Sequence, residues 1–137
     1  MSSSVVVDSS VWIDFFNKKS SSQIEIIKSQ LLSYSNFSPF IILPIILQEI
    51  LQGIEDENQY KTVLDVLSGL EKLEINQFIC AEKASELYRF LRKKGVTIRK
   101  ANDCLIAVVC IENKFSLLHN DKDFNNIAKF TSLKIYK

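Results

Sequence analysis

The chain has 137 residues, 47% hydrophobic and 24% charged, with 3 Gly and 2 Pro. That length suits one domain over residues 1–137, burying roughly 68–70% of its unfolded surface, and the composition excludes a collagen-like or wholly disordered chain. The 17 Lys and Arg nearly balance 16 Asp and Glu, net +1, which excludes a polybasic membrane anchor and a bulk nucleic-acid coat.

The start, MSSSVVVDSS, has no basic flank and too short an apolar run for a signal peptide. The longest apolar stretches, Phe40–Leu47 and Leu105–Ile111, fall short of the ~20 residues that span a bilayer. A soluble, cytoplasmic protein is expected. Its cysteines, at 80, 104 and 110, have neither an even count nor CxxC spacing. They read as reduced, buried thiols rather than disulfides or zinc ligands.

Val5-Val6-Val7 is a β-branched run that predicts a buried strand ending at Asp8. Trp12 to Phe16 predicts a short helix. Ser22 and Glu25 match a capping box for a helix over Gln23–Leu32, with Ile24, Ile27, Leu31 and Leu32 as its apolar stripe. Phe40 to Leu43 is a second buried strand. Pro44 and Gly53 bracket a helix over Ile45–Gln52, in which Glu49 is the lone ionisable residue.

Asn58–Leu70 predicts another helix, and Leu73-Glu74-Ile75 alternates like a short edge strand. Cys80–Lys94 is amphipathic and closes on basic residues before Gly95. Ala101–Glu112 is apolar on nearly every face, as in a helix sandwiched in a core. Phe115–Leu118 is a buried strand, followed by a short helix and a last strand, Leu133–Tyr136. Alternating strands and helices predict an α/β fold with a mainly parallel sheet.

Certain acids sit where a solvated charge is not normally placed. Asp8 and Asp121 follow apolar strands, Glu49 lies in an apolar helix, and Asp103 opens the most hydrophobic helix. In an open parallel sheet, residues beyond the carboxyl ends of the strands share one crevice. Carboxylates converging there repel unless a cation holds them, and oxygen-only ligands favour a hard ion such as Mg²⁺ or Mn²⁺. The alternative is helix N-capping by Asp8, Asp103 and Asp121. Glu49 fits that alternative least.

The segments VVVDSSVWIDFF, QEILQG, NDCLIAVV and LLHNDKDF resemble, in order and over residues 5 to 124, the blocks of the PIN domain family. The resemblance is closest to VapC-type toxins of bacterial toxin–antitoxin pairs. It implies a three-layer α/β/α sandwich around a mainly parallel five-stranded sheet in the order 3-2-1-4-5. It also carries the family's metal-binding acids onto Asp8, Glu49, Asp103 and Asp121, with Asp123 as a further acid of varying role and Ser10 as an accessory hydroxyl. His119 departs from the family, which commonly has Thr or Ser there. It is expected to be a satisfied histidine of the core or rim rather than a catalytic base.

The implied activity is Mg²⁺-dependent RNA hydrolysis, with Mn²⁺ as the alternative ion. Asp8 and Asp103 would chiefly hold one ion, with a second near Glu49 and Asp121. Transfer RNA is the family's commonest target, and cleavage there would inhibit translation. The resemblance further implies a homodimer and a VapB-type antitoxin, with DNA contacted only through that antitoxin and no membrane. Trp12, Ile13 and Phe16 are candidates for the antitoxin groove.

With four site acids set aside, 12 acids remain against 17 bases, net +5 for the rest of the chain. Arg89, Arg92, Lys93, Lys94, Arg99 and Lys100 could track RNA phosphates or complement a helix end. The competing readings are a catalytically silent PIN-like RNA- or protein-binding module and another acid-dependent α/β protein. A haloacid-type phosphatase needs a second Asp two residues after the first, where this chain has Ser10. A receiver domain needs an acid pair that is absent.

Overall fold

A computed structural model describes residues 4–31 and 39–136. Its strands are β1 (Val5–Val7), β2 (Phe40–Ile42), β3 (Glu71–Lys72), β4 (Ser116–Leu118) and β5 (Lys134–Ile135). Its helices are α1 (Ser9–Phe16), α2 (Ser22–Leu31), α3 (Pro44–Gln52), α4 (Glu57–Ser68), α5 (Gln77–Lys93), α6 (Ala101–Asn113) and α7 (Lys122–Phe130).

The strands form one parallel sheet in the order β3-β2-β1-β4-β5. Val6 pairs with Ile41 on one side and Leu117 on the other. β1 is therefore central, which is why its three valines are fully buried. The chain winds outward from β1 to β3, crosses to β4 and continues to β5. Right-handed crossovers then put α1–α4 on one face and α5–α7 on the other. Helix packing divides the same way: α1 touches α2 and α3, α3 touches α4, and α6 touches both α5 and α7.

The sheet order reverses between β1 and β4, the place where an open α/β sheet leaves a crevice. The Asp8 N–H donates to the Leu118 carbonyl at 2.9 Å. That bond extends the ladder one residue beyond β1 and fixes the start of α1 beside the end of β4.

Local departures from the sequence reading have physical causes. The α2 cap is Ser21, whose Oγ accepts from the Ile24 N–H at 3.1 Å; the predicted pair is Ser22 and Glu25. The expected end of that helix at Leu32 lies outside the described residues. β3 forms at Glu71–Lys72 rather than Leu73–Ile75, because it pairs with Ile41 and Ile42 at the end of β2. Its residues are exposed, so hydrophobic alternation is not what places it. Trp12 is fully buried and stacks against Phe16 and edge-on to Phe40. That corrects its assignment to a groove surface: an indole with no exposed area cannot line one. Cys104 and Cys110 are buried and all of the cysteines are free. Burial pushes the Cys104 thiol up to about 11.

Candidate metal centre

The crevice is built from residues that the elements place one at a time. Asp8 leaves β1 and takes the N-cap position of α1, yet its side chain makes no capping bond. Instead Ser10 Oγ donates to Asp8 Oδ2 at 2.7 Å. Asp8 is nonetheless buried. Glu49 lies in α3, which Pro44 opens. Asp103 stands in the first turn of α6 and is 5% exposed. Asp121 does cap its helix, since Oδ1 accepts from the Asp123 N–H at 2.9 Å. N-capping thus accounts for the Asp121 side chain and leaves Asp8, Glu49 and Asp103 needing another partner.

Ser10 supplies one to Asp8 and Ser9 one to Glu49, but one oxygen each of Asp103 and Glu49 is left over. Asp103 Oδ2 and Glu49 Oε1 are buried without a hydrogen bond. Burial, with the like charges of Asp8, Asp121 and Asp123, pushes the Asp103 carboxyl up to about 7, against an opposing pull from Lys100. Burial and Asp8 likewise raise Glu49, opposed by Lys100 and a hydrogen bond from Ser9. An orphaned buried oxygen is costly, and mutual repulsion adds to that cost. Asp103, Asp121 and Asp123 can each aim an oxygen so that all lie within 4.8 Å of one another. A hard divalent cation fits this set: the donors are carboxylate oxygens, and the repulsion that raises Asp103 is what a cation would cancel.

Asp123, an accessory acid in the sequence reading, is one of the three that come together. It is 4% exposed and its Oδ2 accepts from both the backbone N–H and Nε of Arg99, at 3.3 and 3.2 Å. Arg99 Nη2 reaches Asp121 Oδ1 at 3.2 Å. Arg99, with its side chain 62% exposed, thus engages the acid cluster through its head group. Sequence reasoning does not foresee this ion pair; the hint is its position just upstream of Asp103, at a helix start. Arg89, Arg92, Lys93, Lys94 and Lys100 are exposed, and the Arg92 guanidinium lies 5.7 Å from the Tyr88 ring.

His119 is 6% exposed and packs against Phe124. Its Nδ1 accepts from the Asp121 N–H at 3.0 Å, which assigns the proton to Nε2. Burial lowers its basicity, against the pull of Asp8 and Asp121. A neutral ring with Nδ1 already engaged is a holder of the Asp121 backbone. On α1, Ile13 and Phe16 line a small cavity of about 90 Å³ with Ile50, Gly53 and Ile54.

The PIN domain family matches residues 5–130. Ribonuclease VapC11 of Mycobacterium tuberculosis and a VapC ribonuclease of Mycobacterium bovis are each 31% identical over 130 residues, covering 95% of this chain and 96% of the relative. Among solved structures, VapBC2 from Rickettsia felis, bound to a DNA fragment from its promoter, superposes with a TM-score of 0.72 at 24% identity, over 96% of each chain. DNA-bound VapBC from Salmonella typhimurium gives 0.69 at 22% identity, over 99% of this chain and 98% of that one. Both share the α/β/α arrangement and sheet described above.

Proposed function

The chain belongs to the PIN domain family, and from that membership we propose that it is a metal-dependent endoribonuclease, the toxin of a toxin–antitoxin pair. The observation that carries the chemistry is the cluster of Asp103, Asp121 and Asp123 at the crevice, with Asp103 Oδ2 buried and unpartnered and with the charge of Asp8 acting on both Asp103 and Glu49. Asp8, Glu49, Asp103 and Asp121 are the residues that would hold Mg²⁺ or Mn²⁺, with Asp123 beside them. The chemistry such an ion supplies when bound is Lewis-acid stabilisation of a phosphate and activation of water.

The chain's own groups do the rest. Ser10 holds Asp8 by its hydroxyl, so that carboxylate keeps one orientation. His119 holds the Asp121 backbone. With its Nδ1 lone pair engaged by the Asp121 N–H and the proton on Nε2, the ring has no free lone pair with which to act as a general base. Lys93, Lys94 and Lys100, with Arg89 and Arg92, give a cationic approach for the RNA backbone. The products are RNA ends bearing 5′-phosphate and 3′-hydroxyl. Transfer RNA is the proposed substrate and inhibition of translation the outcome in the cell, until an antitoxin binds. The cavity lined by Ile13 and Phe16 is the surface we assign to an apolar antitoxin side chain. Dimerisation of the toxin and a cytoplasmic location complete the reading.

The deciding experiment is sequencing of RNA 5′-monophosphate ends after brief expression of wild type and Asp8→Asn. A dominant new end, absent in the variant, identifies both activity and target. Identical ends in the two demote catalysis and leave a metal-binding interaction module. Ends bearing 2′,3′-cyclic phosphate overturn the hydrolytic mechanism.

A further inference from the structure

Arg99 has an unusual place. Ile98, 3% exposed, anchors the segment between α5 and α6 in the core. Before it, Gly95 turns the chain at φ +83°, a conformation that favours glycine. The next residue after Ile98, Arg99, leans over the crevice with its side chain 62% exposed. Its guanidinium spends Nε on Asp123 Oδ2 and Nη2 on Asp121 Oδ1. Those are two of the three acids whose oxygens can converge on one point. The third, Asp103, has a buried oxygen with no partner. Lys100 also offsets the negative charge of the pocket, through its effect on Glu49 and Asp103.

We propose that Arg99 is a resident counter-ion of the acid pocket, which an incoming divalent cation must displace from Asp121 and Asp123. The inference rests on the metal-centre reading above and adds a regulation to it: the arginine sets the cation concentration at which the pocket fills. The physical argument is competition for the same oxygens. A fork of guanidinium donors on two carboxylates is a strong, charge-assisted contact. It is made by an exposed side chain on a short connecting segment, which can withdraw into solvent without disturbing the core. The backbone N–H of Arg99 keeps its own bond to Asp123 Oδ2, so the carboxylate stays held when the head group leaves.

The test uses the purified full chain without RNA. Mg²⁺ affinity is measured by calorimetry for wild type, Arg99→Gln and Arg99→Lys. Displacement predicts about tenfold tighter binding in Arg99→Gln. Arg99→Lys, which keeps the charge and loses the fork, should fall between the two. In the wild type, the Arg99 Nε–H NMR signal should be protected from exchange without cation and lose that protection as Mg²⁺ is added. The Mg²⁺ concentration for half-maximal RNA cleavage should fall in parallel with the dissociation constant.

Equal or weaker Mg²⁺ binding in Arg99→Gln overturns the inference and leaves the metal centre intact. So does Arg99→Lys matching wild type, which would reduce the arginine to a diffuse field. Wild type binding no Mg²⁺ at all would overturn the metal-centre reading and this inference with it.

Discussion

At the scale of single residues, Asp103 is the acid of the crevice furthest from its ordinary behaviour. Its carboxyl is buried among like charges and pushed up to about 7. An acid whose folded value is raised binds more protons folded than unfolded between that value and its ordinary 3.8. Its contribution therefore lowers stability as pH climbs through that window, the reverse of the usual salt-bridged carboxylate. Asp103→Asn removes the charge and keeps the shape. In EDTA at pH 7.5 the variant should be about 1 kcal/mol more stable, a rise in Tm of about 3–6 °C. The gain should shrink toward pH 4. Melting curves across pH 4–8 check this, and a variant less stable than wild type at pH 7.5 refutes it. The same substitution should abolish RNA cleavage, a trade of function against stability common at active sites.

At the scale of elements, α5 and α6 set the approach to the crevice. α5 ends in Arg92 and Lys93, where cations also complement the helix dipole. Two roles thus compete for the same residues. Reversing both to Glu should cost well under 1 kcal/mol of stability per residue if the dipole role is all they have, since each surface interaction is small. If they also meet RNA, affinity should fall and the salt slope should lessen by about 0.7 for each single-strand phosphate no longer neutralised. Binding measured from 50 to 200 mM salt separates the two, and an unchanged slope removes the RNA role. The elements themselves are largely readable in the sequence, because β1, β2, β4 and α6 are runs whose burial follows from composition. The short edge strand β3 is not, because its position follows from pairing with β2, which no local pattern reports. The α2 cap slips by one residue for a related reason: Ser20, Ser21 and Ser22 are equivalent locally, and the helix start chooses among them. Asp8, Glu49, Asp103 and Asp121 stand out as charges attached to apolar elements. The weight of Asp123 and the turn of Arg99 into the pocket do not, because both depend on how the α5–α6 connection lies against the start of α7.

For the whole molecule, a cation bound as proposed would be thermodynamically linked to the fold. The parallel sheet brings Asp8 and Asp121 to its switch point, while α3 and α6 add Glu49 and Asp103. Packing the core therefore forces together charges that the unfolded chain keeps apart. A ligand that binds only the folded state stabilises it by RT ln(1 + [L]/Kd), about 2.7 kcal/mol at a hundredfold excess over Kd. With about 2.1 cal/mol/K of unfolding entropy per residue, this corresponds to a rise of about 9 °C in Tm for a chain of this length. Mg²⁺ should produce that rise in wild type, and EDTA should reverse it. Asp103→Asn should start higher in EDTA and gain less than a third as much from Mg²⁺, so that the two melting temperatures converge or cross as the cation is added. The Arg92 and Lys93 reversals, being outside the crevice, should keep the full increment. Parallel curves for wild type and Asp103→Asn would mean that Mg²⁺ acts elsewhere on the surface, and the crevice would then be an acidic pocket without its ion.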